Sequence, residues 1–314
     1  MTMATATPAT TERFRLGEGP VWDAPRNRLL WVDIEGRAVL EGVLDAQAVA
    51  VTNRIPFDTM VGAVAVAGDG TLLVAAQERL VVQRPDGTRE DGPRVVPAGE
   101  RRRLNDGKPD PAGRFLVGTL SLGGPSEREV LVRLEADGRL TVLDDDLALS
   151  NGLAWSADGR RMFSVDTVAR TVSVRDYDPG SGAVGPRRVH LRLEDGFPDG
   201  IAMDAADHLW VAVWGGGEVR RYAPEGILVD RVAIPRSAHL QRRLRRRRPP
   251  HPGHHHRDLG AARRPAGGPP RLGPAVLCPG RRPRPPGGAL ARPCRPRRPG
   301  PGATARLTVQ SYSC

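Results

Sequence analysis

Short apolar runs alternate with turn residues along the first 236 positions, and the alternation repeats at a near-constant phase. Each copy opens on a glycine, runs through a short apolar strand, turns at Asp, Gly or Pro, and returns through a second apolar strand. The copies begin at Gly19, Gly62, Gly107, Gly152 and Gly200, which lie 43, 45, 45 and 48 residues apart; the third is the weakest. Each unit continues into a further pair of alternating strands, as in Glu218–Asp230. Four short strands in about 45 residues is the length of one β-propeller blade. No long amphipathic helical period is present, which argues against a helical solenoid. A β-sandwich with regular turns is the alternative, but sandwiches do not repeat one motif at constant phase.

Five such blades fit before Ser237. A sixth should open near position 245, where no such motif is written. Residues 237–314 instead contain 18 Arg, no Lys and one acid, Asp258, together with 15 of the 30 prolines and all three cysteines (Cys278, Cys294, Cys314). The overall formal charge of +11 therefore divides into +17 for this tail and −6 for residues 1–236. Two readings of the tail stand side by side. It is a disordered polybasic segment, or it is out of frame. GC-rich codons for residues 237–256, read one nucleotide later, permit a strand-turn-strand containing Ala-Phe-Gly-Gly-Ala-Asp-Leu at the phase the missing blade requires. The expected organisation is an N-terminal extension over 1–13, blades one to five over 14–236, and a disordered, out-of-frame tail over 237–314. Without a sixth blade, the flanks of blades one and five are expected to be exposed and the chain poorly stable.

The net charge alone suggests a nucleic-acid binder, but the acidic body removes that implication. The tail carries a single aromatic, Tyr312, so it lacks the stacking surface that single strands require. Neither nucleic acid nor membrane is an expected partner, since no run approaches a membrane span. The N-terminus has neither a basic nor an apolar leader segment. The body has no cysteine, and the tail cysteines lack metal spacing. A cytoplasmic location is expected.

The residues preceding the blade-opening glycines are Glu18, Val61, Asp106, Asn151 and Asp199. Equivalent phases of successive propeller blades converge on the central axis. Carboxylates and an amide oxygen gathered there suit one divalent cation: Ca²⁺, Mg²⁺ or Mn²⁺, with Zn²⁺ possible. Blade two, with Val61, would contribute no ligand. Taken singly, each dipeptide is also a good turn sequence. His190 and His208 lie in strand-like contexts and read as packing or surface residues. Trp22, Trp31, Trp155 and Trp210 read as core, with Trp22 and Trp155 also candidates for lining the channel. His254-His-His256 could bind metal only adventitiously.

Four ordered motifs resemble the regucalcin/gluconolactonase family. They are Leu16-Gly-Glu-Gly-Pro-Val-Trp-Asp23 with Leu29-Leu-Trp-Val-Asp-Ile34; Arg103-Leu-Asn-Asp-Gly-Lys-Pro-Asp110 with Gly113-Arg-Phe-Leu-Val-Gly-Thr119; Leu149-Ser-Asn-Gly-Leu-Ala-Trp-Ser156; and Phe197-Pro-Asp-Gly-Ile-Ala-Met-Asp204. The resemblance spans about Phe14 to Ile234. It implies an all-β, six-bladed propeller of four-stranded blades, of which this chain keeps five. It implies a divalent-metal site of Glu18, Asn151 and Asp199, with Asp199 also catalytic and Arg103 and Asn105 holding substrate. The implied reaction is hydrolysis of a sugar lactone, of the gluconolactone type, to the aldonic acid. A non-catalytic calcium-binding regulator is the alternative. Many animal members carry a Glu shortly after the Gly-Thr of blade three, where this chain has Ser121-Leu-Gly-Gly124, which puts the exact lactone in doubt.

Overall fold

The computed structural model describes residues 4–45, 48–124 and 126–235, together with the backbone of 276–277. The tail's expected disorder and reading frame lie outside the described residues.

The chain begins with two short strands, β1 (Ala4–Thr5) and β2 (Thr7–Pro8). Five four-stranded antiparallel meanders follow in order. Blade one is β3 (Gly17–Asp23), β4 (Arg28–Asp33), β5 (Ala38–Leu44) and β6 (Val49–Pro56). Blade two is β7 (Val61–Val66), β8 (Leu72–Ala76), β9 (Arg79–Gln83) and β10 (Arg89–Arg94). Blade three is β11 (Arg102–Pro109), β12 (Phe115–Ser121), β13 (Glu129–Leu134) and β14 (Leu140–Leu147). Blade four is β15 (Ser150–Trp155), β16 (Arg161–Asp166), β17 (Thr171–Asp176) and β18 (Arg188–Arg192). Blade five is β19 (Phe197–Met203), β20 (Leu209–Trp214), β21 (Glu218–Tyr222) and β22 (Leu228–Ala233). The fold is therefore all-β, a propeller arrangement with five blades among the described residues. A last short strand, β23 (Val276–Leu277), pairs antiparallel with β2.

The blades pack face to face because their second strands are apolar on both faces. Along β4, Leu30 and Val32 enter the cluster shared with blade two, while Leu29 and Trp31 enter a cluster on the opposite face. Along β20, Leu209, Val211 and Val213 pack on blade four, and Trp210 and Ala212 point the other way. Side chains of a strand alternate between faces, so a strand apolar at every position must be covered twice. Blades two, three and four meet this requirement with their neighbours, through clusters around Leu104 and Phe115 and around Leu131 and Met162.

Blades one and five each have a flank with no neighbouring blade among the described residues. These flanks differ from the expectation of exposure. The N-terminal segment runs along both. β1 adds to β22 as a parallel fifth strand, and the Ala6 N–H donates to Ala233 O at 2.8 Å. Ala6 packs with Trp210, Ala212, Val219 and Val232. Three residues on, Ala9 O accepts from the Val49 N–H at 2.6 Å, on blade one. Phe14 then packs edge-on against Trp31, ring centroids 5.7 Å apart, with the Arg54 guanidinium over its face. Arg54 also pairs with Glu12. The segment thus ties the two end blades together through backbone bonds and a buried aromatic pair. Phe14 is only 2% exposed, so Phe14→Ala should cost about 3–5 kcal/mol of unfolding free energy. Ile227→Ala, at a turn position 64% exposed, should stay within about 0.5 kcal/mol. Denaturant titration of both variants measures this; equal, small losses would mean that the segment does not join the core.

Candidate functional site

The innermost strand of every blade breaks register at the same place. The irregularities fall between Glu18 and Val21, Val61 and Ala63, Leu104 and Gly107, Ser150 and Leu153, and Pro198 and Ile201. A bulge bends a strand and re-aims its side chains. Glu18, Asn105, Asp106, Asn151 and Asp199 all lie at or within these bulges, inside β3, β11, β15 and β19. The turn reading that their dipeptides also allow therefore fails: the chain continues as strand through each of them.

At Gly62 and Gly152 the glycine has a steric cause. Neighbouring inner strands approach so closely that a Cβ on Gly62 would lie 2.4 Å from Leu104 O, and one on Gly152 would lie 2.5 Å from Asp199 O. The second strands then hold the bulges from outside. Asp33, at the end of β4, accepts from the Arg15 and Leu16 N–H groups at 3.2 and 2.9 Å, just ahead of Glu18. Asp166, at the end of β16, accepts from Ala148 and Leu149 at 2.9 and 3.2 Å, just ahead of Asn151.

Side-chain hydrogen bonds fix the orientation of the site residues. Asn151 Nδ2 donates to Thr167 Oγ1 at 3.0 Å, and Thr167 Oγ1 donates to Pro198 O at 2.8 Å. This links blades four and five next to Asp199. Asn151 Oδ1 and Asp199 Oδ1 are buried with no hydrogen-bond partner. Arg103 Nη1 donates to Asn105 Oδ1 at 2.7 Å and to Leu104 O at 3.0 Å. Asn105 Nδ2 in turn donates to Ser150 O at 2.9 Å, bridging blades three and four.

Charge brings the predicted residues together as clearly as the hydrogen bonds do. Burial, then repulsion from Asp106, pushes the Glu18 carboxyl up to about 8 against an opposing pull from Arg103. Burial and the charges of Glu18 and Asp106 raise Asp199 well above the usual carboxylate range, opposed by hydrogen bonding with Asn151 and then by Arg103. Burial lowers the Arg103 guanidinium, while Glu18, Asp106 and Asp199 raise it. Three carboxyls and one guanidinium thus share a single desolvated space.

Two unpartnered buried oxygens and two carboxyls that resist ionisation are a donor set deficient in positive charge. A divalent cation held by Glu18, Asn151 Oδ1 and Asp199 fits that deficit. Among the described residues no three His, Cys, Asp or Glu side chains gather tightly enough to hold an ion by themselves.

Sequence reasoning missed Thr167, Asp33 and Asp166. Each follows a second-strand apolar run, and that position was the available signal. His190 packs edge-on against Phe163 and is half-buried. His208 bonds within its own turn, Nδ1 lying 3.1 Å from Ala206 O. Trp155 packs against Tyr177, and Trp22 is 40% exposed. The tryptophan that borders the channel cavity is Trp210 instead.

Comparisons with known proteins give the chain a family. The sequence profile of the SMP-30/gluconolactonase/LRE-like region matches residues 16–240. Pentonolactonase XacC of Haloferax volcanii is 35% identical over 234 residues, covering 74% of this chain and 78% of its own. Regucalcin of Gallus gallus is 34% identical, covering 72% and 77%. The crystal structure of a calcium-binding protein, regucalcin, from Agrobacterium tumefaciens superposes with a TM-score of 0.69 at 25% identity, covering 75% of this chain and 81% of that one. The chain belongs to the SMP-30/gluconolactonase/LRE-like family. No helix among the described residues is long and apolar enough to cross a membrane.

A pH dependence follows from the carboxyl pair. The folded Glu18 carboxyl holds its proton up to about 8, against 4.5 for the free side chain. Between those values the folded state binds more protons than the unfolded one, so stability falls as pH rises across this window. Asp199 adds in the same direction. Denaturant midpoints at pH 5, 6.5 and 8 in a chelator should decline in that order, and a Glu18→Gln variant should flatten the decline. A flat profile in the parent chain would contradict the shared burial of these groups.

Proposed function

We propose that the protein hydrolyses a sugar lactone to the corresponding aldonic acid, with Asp199 as the proton-transferring residue. The single observation that carries this reading is the Asp199 carboxyl: buried, bearing an unpartnered oxygen, and under the influence of Glu18, Asp106, Asn151 and Arg103. Pentonolactonase XacC supports the substrate class, since that relative is named for lactone hydrolysis.

Glu18, Asn151 and Asp199 would hold one divalent cation, of which Ca²⁺, Zn²⁺, Mg²⁺ and Mn²⁺ all suit hard oxygen donors. When bound, such a cation polarises a carbonyl and offsets charge developing on its oxygen. The remaining work belongs to this chain's own groups. Ionised Asp199 accepts a proton from a water as that water's oxygen bonds to the lactone carbonyl carbon. It returns the proton to the ring oxygen as the carbon–oxygen ester bond breaks, giving one hydroxyl and one carboxyl group. Arg103 keeps N–H donors beyond those given to Asn105 and Leu104, and a guanidinium binds substrate oxygens by paired, charge-assisted hydrogen bonds. Asn105, locked by Arg103 and Ser150, orders that donor and lends its own amide.

Hydrolysis of gluconolactone, followed by proton release in weakly buffered solution with added divalent cation, tests the reading. Asp199→Ala should reduce kcat by about 10³-fold or more, as expected when a group acting in the transition state is lost. Arg103→Ala should act mainly through KM, by about 10–100-fold, as for lost ground-state binding. Undiminished turnover in Asp199→Ala would overturn the assignment. A folded chain that binds Ca²⁺ at this site yet turns over no lactone would instead match the calcium-binding description of the Agrobacterium tumefaciens protein.

A further inference from the structure

Glu129, the first residue of β13, is the most completely buried ionisable side chain among the described residues, at 0% exposure. The lactone mechanism makes no use of it. Its Oε1 accepts from the Ser126 hydroxyl at 2.5 Å and lies 3.4 Å from Arg102 Nε, while its Oε2 has no hydrogen-bond partner. Arg102 also reaches Glu100, Nη1 lying 3.2 Å from Oε2, and its side chain is 16% exposed. One guanidinium thus joins the connection into β11 to the third strand of the same blade. A buried carboxylate with an unpartnered oxygen costs stability rather than supplying it. What it holds is the first residue of β11, next to Arg103.

We propose that Glu129 is a positioning residue for Arg103: through Arg102 it fixes the stretch of β11 ahead of the bulge, and so sets the affinity for substrate. This rests on the role given to Arg103 in the lactone reading. The path is short. Both hydrogen bonds of Arg103 Nη1 go to its own strand, to Leu104 O and Asn105 Oδ1, so the guanidinium travels with that strand. The register break between Leu104 and Gly107 separates this stretch from the rest of β11. Ahead of the break, Arg102, Arg103 and Leu104 pair with Ser121, Leu120 and Thr119, the last residues of β12. The end of a ladder is where strands open most readily. The next strand gives β12 little backbone support at this level. Beyond Gly118 and Leu131 the β12–β13 ladder stops, and the Val130 N–H donates to Thr119 Oγ1 at 2.9 Å instead. The Arg102–Glu129 pair spans that gap. The turn between β12 and β13 closes over it, the Leu122 N–H donating to Arg101 O at 2.8 Å and the Ser126 hydroxyl to Glu129.

The measurements are kcat and KM for gluconolactone and, independent of turnover, the Kd of gluconate by titration calorimetry, on the full chain with added divalent cation. Glu129→Gln should raise KM and Kd together by about tenfold, below the ~10²-fold that a misplacement of about 1 Å can cost. Its kcat should stay within about twofold, as for lost ground-state binding. Arg102→Gln should do the same, and the double variant should be no worse than either single one, because the two residues form one link. Stability separates this from a purely structural role. Glu129→Gln leaves Arg102 its Glu100 partner and should keep the denaturation midpoint. Arg102→Gln leaves the buried Glu129 carboxylate unpaired and should lower it. Equal effects on affinity beside unequal effects on stability are the expected result. Affinity that follows stability, unchanged in Glu129→Gln and weakened only in Arg102→Gln, would overturn the positioning role. A loss of kcat at constant KM would do so too. Additive effects in the double variant would overturn the route through Arg102. A parent chain that binds gluconate yet hydrolyses no lactone would overturn hydrolysis alone, with Kd then deciding the role of Glu129 by the same criteria.

Discussion

The close approach of inner strands at the axis governs this molecule. Where Gly62 meets the carbonyls of Leu104 and Asn105, and Gly152 meets that of Asp199, there is no space for a side chain. Blades that touch backbone to backbone leave their side chains only one direction to take, and the bulge in each inner strand turns them toward the channel. Steric closure and the collection of polar groups are thus one event. Asn151 is held at the axis beside a glycine that itself lies in the contact.

That collection carries an electrostatic penalty, since Glu18, Asp106 and Asp199 meet in a space that excludes water on most sides. Arg103 offsets part of it. Thr167 and Asn105 supply hydrogen bonds that cross between blades, so the relative setting of blades three, four and five is fixed by the same residues that surround the charged group. The result is a site whose shape depends on polar contacts, embedded in a scaffold whose stability depends on apolar faces. The two sets of residues alternate along the same strands: Asn151 and Leu153 share β15, and Asp199 and Ile201 share β19.

Much of this was legible from residue phase. The recurring glycine marked each inner strand, and the residue before it named Glu18, Asn151 and Asp199 without reference to shape. Asp106 was marked equally, and its charge raises both the Glu18 and the Asp199 carboxyl. What phase could not distinguish was a bulge from a turn, because both favour Gly beside Asn or Asp. Thr167 was invisible because a threonine after a strand has many ordinary roles, and only the three-dimensional path from Asn151 to Pro198 selects this one. The N-terminal segment was obscure for a different reason. Its Ala/Thr-rich sequence has little apolar pattern, and its anchorage comes from backbone pairing and from Phe14 alone. Trp210 was read as core, correctly for its packing, but its second face borders the cavity.

The pairing of β1 with β22 has a consequence for the order in which the molecule can form. The strands that meet there come from opposite ends of the described chain. During synthesis from the N-terminus, residues 4–14 emerge first and must wait until blade five is complete before half of their partners exist. Each blade can form from neighbours close in sequence, but this one contact closes almost the longest loop available, and such contacts are slow to form. Until then Phe14 and the outer faces of Trp31 and Trp210 are open to other chains. The seam that joins the end blades is accordingly the last part of the ring to become native.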